Sequence, residues 1–186
     1  MGLSKLPAGV SPEMMLSVLG ITGLTAYFGL LELGNPQPGE TVLVSGAAGA
    51  TGSVAGQIAR IKGCKVVGIA GGAEKCAWLK NEAGFDDVID YKNEDVNARI
   101  GATCPNKLDV YFDNVGGEIL DAALLNLRDN ARIVFCGSIS TYNAAEPVPG
   151  PYNYWQILAK NAVVKGFLIS SYFEQFEVGA AALAQL

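Results

Sequence analysis

Between the apolar run Thr41-Val42-Leu43-Val44-Ser45 and a helix-patterned segment from Ser53 to Lys62 lies Gly46-Ala47-Ala48-Gly49-Ala50-Thr51-Gly52. A strand that feeds a helix through a glycine-rich turn leaves few options for the local fold. The turn lets backbone N–H groups and a helix N-terminus approach a diphosphate, so these residues point to a bound dinucleotide. The spacing Gly-x-x-Gly-x-x-Gly departs by one residue from the common Gly-x-Gly-x-x-Gly fingerprint, and a glycine turn that binds nothing is the competing reading. Context favours the ligand. Val54, Ile58 and Ile61 recur at helical spacing beside Ala55 and Ala59, and a second apolar run, Lys65 to Ala70, completes a strand-turn-helix-strand unit.

The same alternation continues down the chain. Helical pattern runs from Pro12 to about Leu33 with a break near Gly20 to Gly23, and Ser11-Pro12-Glu13 supplies an N-cap, a first-turn proline and a first-turn acid. Gly71-Gly72 opens a helix through Lys80, Asp87 to Tyr91 reads as a third strand, and Asn93 to Ile100 as a short helix. Asp109 to Asp113 is a fourth strand, Gly116-Gly117 starts another helix, and Arg132 to Cys136 is a fifth strand. Asn153 to Ala159 is helical, Val163 to Ile169 forms a sixth strand, and Phe173 to Leu186 reads as a helix with no stop signal. This order predicts an α/β fold, a doubly wound and mainly parallel Rossmann sheet in three layers, with ligand at the carboxyl ends of the strands. Residues 1–186 form one dinucleotide-binding domain with a helical lead-in, and the abrupt ends suggest a piece of a longer protein.

Composition removes several classes of function. The net charge of −5, without a dense basic cluster, argues against nucleic acid or an anionic membrane as partner. Four scattered cysteines, Cys64, Cys76, Cys104 and Cys136, give no C-x-x-C pair and fit reduced cytoplasmic thiols. With no histidine, a His-containing zinc site, a Ser-His-Asp triad and a histidine acid are all excluded. Met14 to Leu31 carries no formal charge, but its hydroxyls and glycines and the want of cationic flanks beyond Lys5 mark a buried helix rather than a membrane span or signal peptide.

Chemistry concentrates where strands end. After the second strand, Gly71 leaves open space where an NAD site usually places an acid, and Lys75 follows on the next helix, where it could pair with a 2′-phosphate. NADP(H) is therefore preferred over the reading in which Lys75 is solvated and Glu74 is the ribose acid of an NAD site. Asp113-Asn114-Val115-Gly116-Gly117 ends the fourth strand at the topological switch point; Asn114 reads either as a nicotinamide partner or, like Asp113, as an ordinary turn or cap residue. Cys136-Gly137-Ser138-Ile139-Ser140-Thr141-Tyr142 follows the fifth strand and either lines a cofactor, with Tyr142 toward substrate, or forms a polar surface loop. The Tyr-x-x-x-Lys pair of short-chain dehydrogenases is missing, since Tyr152 is followed four residues on by Gln156 and Tyr154 by Leu158.

Taken together, Gly23-Leu24-Thr25-Ala26-Tyr27-Phe28-Gly29, the Gly46 to Val54 turn, Glu74-Lys75, Phe112 to Gly117 and Cys136 to Asn143 make the chain resemble the zinc-independent medium-chain dehydrogenase/reductases. The branch it resembles holds the prostaglandin/leukotriene reductases and the bacterial NADP-dependent enone (curcumin-type) reductases. The resemblance implies that Gly49, Ala50, Thr51 and Gly52 hold the diphosphate, and that Lys75 and Tyr91 hold the 2′-phosphate end. It further implies that Asn114, Cys136, Gly137, Ser138, Ile139, Ser140, Thr141 and Tyr142 hold the rest of the cofactor, with Phe167, Leu168 and Ile169 flanking the nicotinamide. In that family NADPH delivers hydride to the β-carbon of an α,β-unsaturated ketone or aldehyde, and Tyr142 matches a tyrosine that bonds the substrate oxygen. The family's N-terminal β-rich domain and C-terminal return to it are not in the chain, so weak or absent turnover is expected of these residues alone. A non-catalytic NADP(H)-binding module and a quinone reductase of the same superfamily are the alternatives. Val163 to Tyr172 reads as an apolar edge that pairs across a homodimer, as in relatives, or promotes aggregation.

Overall fold

The computed structural model describes residues 9–186; the lead from Met1, with Lys5 and Pro7, lies outside the described residues. Strands β1 (Thr41–Ser45), β2 (Lys65–Ala70), β3 (Asp87–Asp90), β4 (Leu108–Asp113), β5 (Leu127–Phe135) and β6 (Val163–Gly166) form one sheet in the order β3-β2-β1-β4-β5-β6. Every neighbouring pair is parallel. This is the doubly wound arrangement expected from the alternation of elements, and the order reverses between β1 and β4.

Helices cover both faces. On one side α2 (Ile21–Phe28), α3 (Ala50–Ile61), α4 (Ala73–Asn81) and α8 (Phe176–Leu183) pack around Val42, Val44, Val66, Val110, Phe112 and Val134. On the other, α5 (Val96–Thr103), α6 (Gly117–Leu124) and α7 (Trp155–Ala159) cover Leu43, Val67, Ile69, Ile89, Tyr111 and Ile133. Strand β1 shows why the sequence reads as an unbroken apolar run. Val42 and Val44 face one layer and Leu43 the other, so a central parallel strand is buried on both sides.

The lead-in follows its local signals. Ser11 caps α1 (Pro12–Leu16), its hydroxyl accepting the Met14 N–H at 3.3 Å. The chain breaks between Ser17 and Gly20, α2 follows, and a π-helical turn over Gly29–Gly34 carries the chain toward β1. Among the described residues no helix is long and apolar enough to cross a membrane.

Several boundaries differ from the sequence reading for visible reasons. Strand β5 begins at Leu127 rather than Arg132, because Leu127 pairs with Leu108 across an irregularity where Asn130 takes a φ of 63°. Strand β6 stops at Gly166 instead of reaching Ile169, since Gly166 is opposite Phe135, the last residue of β5, and the ladder has no further partner. Phe167 then turns inward, packed against the core, and residues Ile169–Gln175 form 3₁₀ turns before α8 begins at Phe176. The segment read as an edge from Val163 to Tyr172 is thus a four-residue strand, each residue exposed, followed by turns.

How closely α3 approaches the sheet is set by Phe85. A Cβ added at Gly56 would stand 2.0 Å from its Cζ, and one at Gly68 of β2 would stand 2.8 Å from its Cδ1. The ring is 3% exposed and has nowhere to go. Alanine at Gly56 gains about 1 kcal/mol of helix propensity but meets an overpacking cost of about 1–3 kcal/mol. Gly56→Ala is expected to lower stability, and Gly56→Ala combined with Phe85→Leu to be more stable than the two single effects summed. Urea denaturation midpoints of the set check this; strict additivity would show that the ring does not limit the approach.

Candidate functional site

A cleft of about 1020 Å³ opens at the carboxyl ends of β1, β2, β4 and β5 and is continued by the segment after β6. The turn after β1 forms its floor. Gly49 is the N-cap of α3 and offers no side chain, while the first backbone bond of the helix runs from Ser53 N–H to Gly49 C=O. The N–H groups of Ala50, Thr51 and Gly52 are therefore without intrahelical acceptors at a helix end that lines the cleft. Gly52 permits the tight turn, because a Cβ there would come within 2.4 Å of the Gly46 carbonyl oxygen.

At the end of β2 the structure changes the meaning of Gly71. A Cβ at this position would lie 2.7–2.9 Å from the ring and hydroxyl of Tyr91, so the space is filled by the tyrosine rather than left open. Lys75, exposed on the first turn of α4, points to the same end and has no ion-pair partner among the described residues. Glu74 does not line the cleft; it borders a separate groove with Trp78 and Glu82. Asp90, the acid at the end of β3, is occupied elsewhere. Its carboxylate accepts N–H groups from Gly72 at 2.8 Å and Lys92 at 3.1 Å and the Asn93 amide at 2.7 Å, and the Gly72 bond chiefly holds its pKa below the ordinary value.

The end of β4 carries a polar knot. Asp113, fully buried, accepts four hydrogen bonds at one oxygen: from Ser45 Oγ at 2.9 Å, Tyr111 Oη at 2.7 Å, and the Val115 and Gly116 N–H groups at 2.9 Å each. Asn114, which reads equally as a ligand partner or a turn residue, has its amide committed locally: Nδ2 donates to Ser45 C=O at 2.7 Å. Its oxygen receives no hydrogen bond among the described residues and the residue lines the cleft, so the two readings are compatible. Burial, and secondarily the Asp113 charge, pushes the Tyr111 hydroxyl well above its ordinary pKa, so it is a permanent donor.

The loop after β5 leans on that knot. Ile139 N–H donates to Asn114 C=O, and both Ser140 N–H and Ser140 Oγ donate to Val115 C=O. Cys136, Gly137, Ile139, Ser140, Thr141 and Tyr142 line the cleft, but Ser138 does not. Its hydroxyl is turned toward Gly116 and accepts from Thr141 Oγ1 at 3.1 Å, placing it behind the wall. Tyr142 is 66% exposed, and its oxygen accepts the Ser138 N–H at 3.2 Å, leaving the phenolic proton free to be donated. Phe167, Leu168 and Ile169 complete the far end.

Sequence reasoning missed other lining residues. Thr25 of α2 lies inside a motif used for the resemblance but had no assigned role, and its hydroxyl donates back to Ile21 C=O at 2.6 Å. Glu118 and Ile119 follow the glycine pair on α6, and Val148 comes from a proline-rich stretch with no local signal. Among the described residues, Lys75 and Glu118 are the formally charged side chains in the lining.

The chain is similar to known proteins along most of its length. The family model described as zinc-binding dehydrogenase matches residues 50–185. Among the described residues, no group of three or more His, Cys, Asp or Glu is placed to hold a metal ion. The NADPH-dependent curcumin reductase of Escherichia coli is 44% identical over 164 residues, covering 86% of this chain and 48% of that protein. Prostaglandin reductase 1 of Bos taurus is 45% identical over 186 residues, covering 99% of this chain and 55% of the relative. The structure of CurA from Vibrio vulnificus in complex with NADPH superimposes with a TM-score of 0.89 at 43% identity, covering 98% of this chain and 55% of that one. The chain spans about half the length of the curated relatives it matches.

Cys136 gives the cleft a measurable signature. Burial, and then the Asp113 charge, pushes its thiol up to about 12 from an ordinary 9.0. Cys64, buried near Glu40, is pushed up to about 11 for the same first reason. Both stabilise fully below pH 9.0, and that contribution is lost as pH rises toward the folded-state values, because the unfolded chain releases protons the folded chain retains. Denaturant unfolding between pH 8 and about 11 is expected to show falling stability, with a shallower fall in Cys136→Ala. Identical slopes in the two proteins would count against a buried, neutral Cys136.

Proposed function

The chain belongs to the zinc-binding dehydrogenase family, and from that membership we propose that it is the cofactor domain of an NADPH-dependent reductase acting on the carbon-carbon double bond of α,β-unsaturated ketones or aldehydes. The observation that carries the reading is the unpaired Lys75 beside a Tyr91 ring that fills the space over Gly71, where an acid would have to stand in an NAD site. Relatives named as 2-alkenal reductase from Nicotiana tabacum and (+)-pulegone reductase from Mentha piperita, at 44% and 41% identity, support the substrate class. Structures named as quinone oxidoreductases are less similar, at 27–29% identity, which favours the enone over the quinone.

In this reading the N–H groups of Ala50, Thr51 and Gly52 hold the diphosphate, as helix N-termini do, and Lys75 with Tyr91 holds the 2′-phosphate. Asn114 offers its free oxygen to the nicotinamide half, with the Cys136 to Tyr142 loop along one side and Phe167 to Ile169 flanking the ring. Bound NADPH supplies hydride. Tyr142 donates its phenolic proton in a hydrogen bond to the substrate oxygen, where negative charge develops as the β-carbon is reduced. Ser138 N–H, bonded to the tyrosine oxygen, fixes that donor without consuming its proton. The wall opposite Tyr142 comes from the part of the relatives that the chain does not span, and with it substrate positioning and exclusion of water.

Parallel titrations with NADPH and NADH, followed by nicotinamide fluorescence, test the cofactor. NADPH is expected to bind more tightly, Lys75→Ala to weaken NADPH by about ten- to hundred-fold, and NADH to be little changed. Equal affinity for both cofactors with no effect of the substitution would overturn the assignment. For the reaction, NADPH consumption with a simple enone is expected to be weak or absent in this chain. In a protein of the relatives' length, Tyr142→Phe is expected to lower kcat by about a hundred-fold with little change in KM. Full activity of the Tyr142→Phe protein would remove the tyrosine from the mechanism.

A further inference from the structure

The buried carboxylate at the end of β4 is the group that the proposed chemistry leaves unused. Asp113 is fully buried, forms no ion pair among the described residues, and takes four donors on Oδ1 while Oδ2 has none. A fold that needed only to satisfy Tyr111 could do so more cheaply than by burying an acid. What the acid uniquely does is gather donors from two turns at the switch point. Ser45, the last residue of β1, gives its hydroxyl proton to Asp113 and uses the same oxygen to accept Asn114 N–H at 2.9 Å. Val115 and Gly116, the next turn, give their N–H groups to the same carboxylate oxygen.

The linkage extends further. The Asp113 carbonyl accepts Cys136 N–H at 2.9 Å and Gly137 N–H at 3.0 Å, and Val115 C=O holds Ser140. The turns after β1, β4 and β5 are thereby referred to one residue, and the last of them carries Tyr142.

We infer that Asp113, acting through Ser45, is the positioning residue for the nicotinamide half of the cleft: it holds the Asn114 turn and the Tyr142 loop in register with the glycine turn before any ligand arrives. The inference rests on the cofactor reading above. It separates the cleft into halves. The adenosine end, with Lys75, Tyr91 and Gly71, hangs on β2, β3 and α4 and shares no hydrogen bond with the Asp113 knot.

Asp113→Asn keeps the shape but puts an amide NH2 group at the position of Oδ2, which has no hydrogen-bond partner, and Ser45→Ala removes the bridge to Asn114 while leaving the acid. Each is titrated in parallel with NADPH and with adenosine 2′,5′-bisphosphate, which lacks the nicotinamide half. Both substitutions are expected to weaken NADPH by about ten-fold or more and to leave the bisphosphate within about two-fold of the unsubstituted chain. A merely structural role would weaken both ligands together, and that result, or unchanged NADPH binding, overturns the inference. Where Asp113→Asn does not fold, Ser45→Ala decides by the same comparison. An unsubstituted chain that binds neither ligand would instead sink the cofactor reading, and this inference with it.

Discussion

The structure depends on how near α3 can lie to the middle of the sheet. Phe85, at the end of the loop after α4, inserts its ring where side chains on Gly56 and Gly68 would otherwise stand, so helix and strand meet across one aromatic ring. With that distance fixed, the Gly46 to Gly52 turn has little freedom: it must leave the end of β1, turn within a few residues and start a helix already seated on β2. The free N–H groups of Ala50 to Gly52 are aimed by this packing and not by any polar contact of their own. A core constraint thus does the work of preorganising a polar site, and no side-chain cap competes for the helix end.

The site itself uses charge sparingly. Apart from Lys75 and Glu118 its lining is backbone, small side chains, hydroxyls and apolar groups, and the Cys136 thiol is kept neutral by burial. A dinucleotide carries several negative charges, so a lining rich in acids would repel it and one rich in lysines would hold it without regard to orientation. Placing the lone cation at the β2 end gives the cleft a direction. In the proposed reading backbone donors then serve the diphosphate, and the other end is left to hydrogen bonds of defined geometry.

Much of this was legible in the residues. The apolar runs of β1 and β2 and the Ser11 cap depend on neighbours a few positions apart, and they fold where the pattern places them, while the helix after the glycine turn starts at Ala50, three residues before the Ser53 read from the sequence. The exceptions are contacts between distant segments. Gly71 reads as an open space until Tyr91, twenty residues later, is seen lying on it. Ser138 reads as a cleft residue because its neighbours are, yet its side chain turns back onto Gly116. Polar residues Arg128 to Asn130 lie outside the strand read from Arg132 to Cys136 but belong to β5, which pairs with β4 from Leu127 onward. Asp113 reads as an ordinary turn residue. Nothing nearby in sequence reveals that Ser45, sixty-eight positions earlier, will meet it.

The two halves of function then have different structural requirements. The groups that the proposed reading gives to the cofactor are held by contacts within these residues: Tyr91 is seated on Gly71, and Asn114 is tied to Ser45. Tyr142 and Leu168, by contrast, are 66% and 73% exposed, so the reacting end faces water. Holding a cofactor needs donors in fixed places, which a rigid sheet edge supplies alone. Stabilising a developing oxyanion needs a donor in a place water cannot reach, since a hydrogen bond gains most where the surroundings are poorly polarisable. In the proposed reading affinity and turnover are therefore separated: the sheet edge would set which cofactor binds and in which direction, while catalytic power would rest on whatever covers Tyr142.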